Sequence, residues 1–399
     1  MTFILQWRPS LDVTADRELF DMRTRARSIL FALAAASLAM TGCGGGGSGS
    51  PASSGPTPPP PPVNTHVYVL NAGQSTVSAY VLDSGSGALT AIQGSPFAVP
   101  NGGYSMAVQR KTRTLFFGST VANSVSAMSI DSATGKLTAA GDPFFTVVGP
   151  ISTAIDPGGT YLYTANSGDG TVSALKVNGT TLTQVAGSPF PVGRTPYAVA
   201  VSPDSKFVFV ANRDDGTISV LSADATTGAL APVAGSPFAM NGAFNLPVAL
   251  AVNPAGTFLY VATAQDISAY AVDPATGALS QIAGGAGTGG GTNSIAVDPA
   301  GKYLYLAAMF SVYGFSIDSQ TGGLQSLASG PYTNTARSLQ LAFDPSGKFL
   351  FVTDNSQNAV ASYVVNAADG TLSPAPGSPF PLDPTSAMGQ GPTQVLAVN

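Results

Sequence analysis

Over 66–399 apolar and polar positions alternate in short runs, and the runs come in fours. Residues 197–238, "YAVAVSPDSKFVFVANRDDGTISVLSADATTGALAPVAGSPF", show the unit. Alternation with a period of two over four to eight residues marks a half-buried strand. The pattern predicts strands a at 198–201, b at 207–211, c at 217–221 and d near 230–234. The a–b turn reads SPDSK here and DPGGT, NPAGT, DPAGK or DPSGK elsewhere. The c–d turn reads DATTG, DSATG, DPATG or DSQTG. Asp, Pro and Gly stand where tight turns want them. The unit recurs about every 47 residues, a period that signals a propeller or a solenoid.

Laid over one another, the units show two series. Three residues before the turn proline or its equivalent stands Ala107, Ala154, Ala200, Ala251, Ala296, Ala342 or Ala397. Strand b carries Tyr68, Phe116, Tyr163, Phe209, Tyr260, Tyr305 or Phe351. Radially arranged sheets need a small residue near the axis and a large one in the widening wedge. The series are out of step: the repeats begin with a strand b at His66 and end with a lone strand a at 394–398. The last strand is therefore expected to complete the first blade and close the ring. The predicted fold is all-β: a seven-bladed β-propeller of four-stranded antiparallel blades over 66–399. The phrase GSPF, at Gly94, Gly187, Gly235 and Gly377, is expected to end strand d and begin the crossover to the next blade. Its Phe is expected to plug the seam between blades.

Composition agrees and removes several functions. With 46 Gly, 31 Pro and 9 % charged residues, turn formers abound and helix formers are scarce. The net charge is −5 and no basic run follows Arg27, which argues against a nucleic-acid surface. The one cysteine, Cys43, allows neither an intrachain disulfide nor a cysteine metal cluster. Glu18 is the one glutamate and His66 the one histidine. His66 stands in the strand-b slot that other units fill with Tyr161, Phe207, Phe258, Tyr303 and Phe349, so it reads as a packing residue.

The first 65 residues read differently. Arg23, Arg25 and Arg27 precede an uncharged, mostly apolar stretch at 28–40, of signal-peptide length. Met40-Thr41-Gly42-Cys43 resembles the bacterial lipobox, in which cleavage leaves a lipid-modified cysteine. The resemblance implies a signal peptide at 22–43, a lipid on Cys43 and a protein anchored in the bacterial cell envelope. Gly44 after the cysteine favours the outer membrane, since an Asp there usually means inner-membrane retention. Residues 1–21, with Asp12, Asp16, Glu18 and Asp21, read as an extension upstream of a start at Met22. Residues 44–65, Gly/Ser-rich and then Pro-rich, read as a disordered tether.

With "YTAN", "FVAN" and "YVAT" closing strand b, the repeat resembles the seven-bladed β-propeller lactonases, 6-phosphogluconolactonase among them, over essentially all of 66–399. The resemblance implies ligand binding on the face shared by the d–a and b–c loops. It also implies Arg-His at the start of one strand a and Asn-Glu at the end of its strand b. The best-matching unit has Tyr197-Ala198 and Asn212-Arg213 there. The Asn matches, but the His, Arg and acid are missing. Lactone opening needs a base for water and a donor for the carbonyl oxygen. Asp215, Asp214 and Asp354 are the remaining candidates for the base. Arg194, Arg213 and Arg337 are candidates for binding an anion, against an ordinary reading as solvated loop charges paired with Asp214 or Asp215. Asn212 closes strand b with Asn71, Asn166, Thr263 and Asp354, where turn capping explains the series. Tyr104, Tyr197 and Phe244 read equally as aromatic faces for a sugar or a partner's side chain and as fillers of the seams between blades. The Asp-Gly pairs ending at Thr171 and Thr217 read as hairpin turns rather than calcium loops, so neither metal nor cofactor is expected. The expectation is a membrane-tethered binding or scaffold propeller, with a rebuilt lactone hydrolase as the alternative. Its partner would be a small anionic or carbohydrate ligand, or an envelope protein.

Overall fold

The computed structural model describes residues 64–100, 102–146, 148–241, 246–287, 290–328, 330–333, 338–382 and 393–399. The chain divides into two units, Met1–Pro60 and Pro61–Asn399, and the first lies outside the described residues, with the expected leader, Cys43 and most of the tether. Among the described residues no helix is long and apolar enough to cross a membrane.

The second unit consists of seven antiparallel sheets, the blades. Blade 4 shows the plan. Its strand a is Pro196–Val201, b is Phe207–Asn212, c is Thr217–Ala223, and the outer strand d is Leu230–Pro232. Strand b is buried along its whole length in every blade. It lies inside its own sheet with a neighbouring blade on each face, so it reads as a nearly continuous apolar run. The apolar core is accordingly divided into seven clusters among the described residues, one per seam between blades. Each cluster holds one member of the strand-b aromatic series: Tyr68, Phe351, Tyr163, Tyr305, Tyr260, Phe209 and Phe116 in turn. Three of the tyrosines also bridge a seam. Tyr68 Oη donates to Gly135 O at 2.8 Å, Tyr260 Oη to Gly322 O at 3.1 Å and Tyr305 Oη to Gly370 O at 2.5 Å. Each acceptor lies in the c–d turn of the next blade, so a buried hydroxyl is satisfied where it joins two sheets.

His66 behaves as its slot requires. It is 1 % exposed, and a Cβ added to Gly135 of blade 2 would lie 2.3 Å from its Cδ2. Phe207 meets Gly277, and Phe258 meets Gly322, in the same way. The ring closes as expected: His66–Asn71 pairs with Gln394–Val398, and Thr393 N donates to Leu70 O at 2.8 Å.

Two details differ from the expectation. In six blades the alanine series faces the aromatic series across the a–b ladder, as in Ala107↔Phe116 and Ala200↔Phe209. In the closing blade Leu396 faces Tyr68, and Ala397 faces Val67. Ala397 thus belongs one place further on, on the other face of the sheet. The closing strand is not joined to its strand b by a turn, so no turn proline fixes the count.

The second correction concerns GSPF, which interrupts strand d instead of ending it. In blade 4, Leu230–Pro232 pairs with the end of strand c, and Phe238–Ala239 pairs with its beginning. Strand d therefore stops at Pro232, short of 234, and the chain bulges between the two segments. The serine hydroxyl then takes the place of a backbone acceptor: Val220 N donates to Ser236 Oγ at 3.0 Å. Ala79 to Ser95, Ala174 to Ser188 and Ser362 to Ser378 repeat the bond. The glycine needs its freedom, at φ between 81° and 92°. The phenylalanine packs against a seam cluster, as expected.

Candidate axial binding site

The pairing Pro196↔Asn212, Asn212↔Thr217 and Ile218↔Phe238 puts the start of strand a, the b–c turn and the d–a crossover at one end of each blade. On this face a cavity of about 260 Å³ opens on the axis. Strand a lines it because it is the innermost strand. Two places before the alanine, or Leu396 in blade 1, stand Ser105, Ser152, Ala198, Ala249, Ser294, Gln340 and Gln394, and all seven line the cavity. One place earlier come Tyr104, Ile151, Tyr197, Val248, Asn293 and Thr393. The lining is hydroxyl, amide, aliphatic and phenol. Among the described residues it includes no charged side chain.

Part of this polar ring joins blades. Ser152 Oγ accepts from Val199 N at 3.2 Å, Ser294 Oγ donates to Gln340 Oε1 at 3.2 Å, and Gln394 Oε1 accepts from Met106 N. Two hydroxyls are different. Ser105 and Thr153 are 4 % and 8 % exposed, and their Oγ and Oγ1 have no partner in the protein. Burying an unpaired hydroxyl is costly, so such groups mark either strain or a place for a ligand. Gly118 makes room for the first of them: a Cβ there would lie 2.6 Å from Ser105 Oγ.

Tyr104 and Tyr197 line the same cavity. Burial first, and then the adjacent Tyr197, push the Tyr104 phenol up to about 12, so it remains a donor at neutral pH. The Arg213 guanidinium lies over the Tyr197 ring, 5.2 Å from its centroid, which holds the ring in place.

The other sequence candidates lie apart from the cavity lining. Arg194 is exposed, and its Nε lies 2.5 Å from Asp215 Oδ1. Its backbone N–H donates to Asp215 Oδ2 at 2.6 Å. These two hydrogen bonds from Arg194 hold the Asp215 carboxyl below its usual range. Asp214 accepts from Thr195 Oγ1 at 2.6 Å. Asn212 is fully buried and donates to Thr217 Oγ1 at 3.0 Å and Ser219 Oγ at 2.9 Å. Asn71 and Asn166 repeat that pair of bonds with hydroxyls five and seven residues on. Blade 7 has Ala359 and Ala361 at those places, and its slot holds Asp354, an acceptor for Gln357 N at 2.8 Å. Burial raises the Asp354 carboxyl. Arg337 and Phe244 lie outside the described residues. Among the described residues no group of three or more His, Cys, Asp or Glu could hold a metal ion. The ring two places before the alanine escaped the sequence reading, because serine, alanine and glutamine share no type that a repeat would advertise.

A model of the seven-bladed β-propeller lactonase family matches residues 66–188, 181–292 and 282–382. The chain belongs to that family. No curated protein matches the chain. Among solved structures, this lactonase-family propeller is similar to a protein of Bacteroides fragilis assigned as a 6-phosphogluconolactonase. The identity is 18 % and the TM-score 0.72, over 86 % of this chain and 100 % of that one. It is also similar to a Bacteroides uniformis protein with the same assignment, at 19 % identity and TM-score 0.70 over 84 % and 100 %. A periplasmic gluconolactonase of Pseudomonas aeruginosa matches at 15 % identity and TM-score 0.68 over 84 % and 99 %. At these identities the likeness is one of fold.

Proposed function

We propose that this lactonase-family propeller is a binding module without lactonase activity, and that its axial cavity takes a neutral, polyhydroxylated ligand of the carbohydrate class. The observation that carries this reading is the cavity lining. It offers hydroxyls, amides and two tyrosine faces, with no charged group among the described residues. Sugars are bound by such combinations of aromatic faces and neutral hydrogen bonds, whereas anions call for Arg or Lys. The candidates for a base support the non-catalytic reading: Asp215 is committed to Arg194, and Asp354 caps a turn. Family membership alone favours the alternative of lactone hydrolysis. Isothermal titration of the purified protein with neutral monosaccharides, gluconate and a uronate tests the reading. Saturable binding of a neutral sugar, weakened about tenfold by Tyr104→Ala, is expected. Binding of the acids alone, or saturable turnover of gluconolactone, overturns it.

We further propose that Cys43 carries lipid and holds the protein in the cell envelope. In a detergent phase separation the native protein is expected in the detergent phase and Cys43→Ala in the aqueous phase. Native protein in the aqueous phase would exclude the anchor.

A further inference from the structure

A second cavity, of about 210 Å³, lies between blades 1 and 2 on the same face. Tyr104 lines both it and the axial cavity, so one side chain is common to the two. Pockets for drug-sized ligands run from ~300 Å³ upward. Each of these cavities therefore suits one small ring, and the pair suits two joined rings.

The crevice has a cause in the repeat. Strand a opens with Pro150, Pro196 and Pro247 in blades 3, 4 and 5. Blade 2 has Gly103 at that place, preceded by Gly102, and its strand a, Ser105–Gln109, starts two residues later. One wall is thus bare backbone, with Gly102 at φ 73°. Ser75 and Thr120 bring hydroxyls to it, the buried Ser119 hydroxyl accepts from Ala122 N at 3.1 Å, and Val121, 92 % exposed, stands at the rim. No charged side chain lines this cavity either, among the described residues.

We propose that the crevice is a second subsite, and that the ligand is a linear neutral oligosaccharide: one unit sits in the axial cavity and the next passes Tyr104 into the crevice. This rests on the reading of the axial cavity as a carbohydrate site. A polymer is favoured over a larger single molecule because the two spaces are similar in size and both border the same ring. Stacking of a sugar on each side of a tyrosine uses both faces of its π-system.

The test is calorimetric titration with glucose and with α-1,4- and β-1,4-linked glucose oligomers of two to four units. The trimer of one series is expected to bind at least tenfold more tightly than glucose. In Val121→Trp, whose indole fills the crevice from its rim, the ratio of trimer to glucose affinity is expected to fall to near one. Phe310→Ala, an exposed change on blade 6, should leave that ratio as in the native protein. Glucose binding with no gain from length overturns the second subsite and leaves the axial reading standing. An unchanged ratio in Val121→Trp also overturns it. If no sugar of any length binds, both readings fall.

Discussion

Arg194 and Asp215 close a small ring on the loops of blade 4: the side chain of Arg194 reaches one carboxylate oxygen at 2.5 Å while its own backbone N–H reaches the other at 2.6 Å. A carboxylate held by two donors is a poor base, because removing a proton from water would cost it both bonds. Asp215→Asn and Asp354→Asn are therefore expected to leave the rate of gluconolactone hydrolysis equal to that of buffer alone, as in the native protein. A burst of acid release in the native protein that either substitution abolishes would restore the hydrolase reading.

Gly135 and Gly179 separate a crowded turn from an open one. Both have left-handed backbone, at φ 71° and 61°. A Cβ at Gly135 meets His66, while at Gly179 nothing lies within 4 Å. Gly179→Ala should cost about 1–2 kcal/mol, the strain of that backbone alone. Gly135→Ala should cost clearly more, since the seam between blades 1 and 2 has to open. Equal costs in urea denaturation would mean that the His66 slot has slack.

His66 should make the fold acid-sensitive. Burial chiefly, and then the nearby Arg113, depress its pKa from 6.5, with Asp131 opposing. Its ring nitrogens have no hydrogen-bond partner. Below pH ~6.5 the unfolded chain takes up a proton that the folded chain refuses, so stability falls as the pH drops from there. His66→Phe, which restores the residue type of Phe207 and Phe258, should flatten this part of the curve. Parallel melting curves for the two proteins between pH 7 and 5 would count against the assignment.

The closing strand should carry more stability than its length suggests. Removing residues 393–399 takes from blade 1 its inner strand and from two seam clusters Val395, Ala397 and Val398. The two buried valines contribute roughly 1.5–3 kcal/mol each. The truncated protein is expected to melt well below the intact one and to lose a single sharp transition. An unchanged melting temperature would show that the ring holds without its closure.

The architecture was legible because it depends on repetition. The seven members of the alanine and aromatic series gave the blade count, and the offset between them gave the closure. What escaped depends on register and on place. Leu396 stands where Ala397 was expected, because no turn ties the closing strand to its partner. GSPF looked like a crossover because Gly and Pro turn a chain in either setting. Only the bond from Val220 to Ser236 shows that the outer strand resumes after it. At the site, the arginines drew attention by their charge, yet Arg194 is engaged with Asp215 and Arg213 supports Tyr197. Ser105 and Thr153 have no distinguishing type, and they matter only because burial leaves them unpaired.

The interrupted outer strand bears on how these molecules keep apart. Ring closure removes the lateral edges of the sheets and leaves the seven perimeter edges facing outward. A long straight edge recruits strands from other chains, and from partly folded copies above all. Five blades break that edge after three or four residues, at Leu89–Ala91, Thr181–Gln184, Leu230–Pro232, Leu324–Ser326 and Leu372–Pro374, and resume it only for two. The proline in each break also offers no N–H to a visiting strand. GSPF in four of these blades, and SGPY in the fifth, thus keep the exposed edges short, and they do so on the perimeter, far from the axis where a ligand would enter.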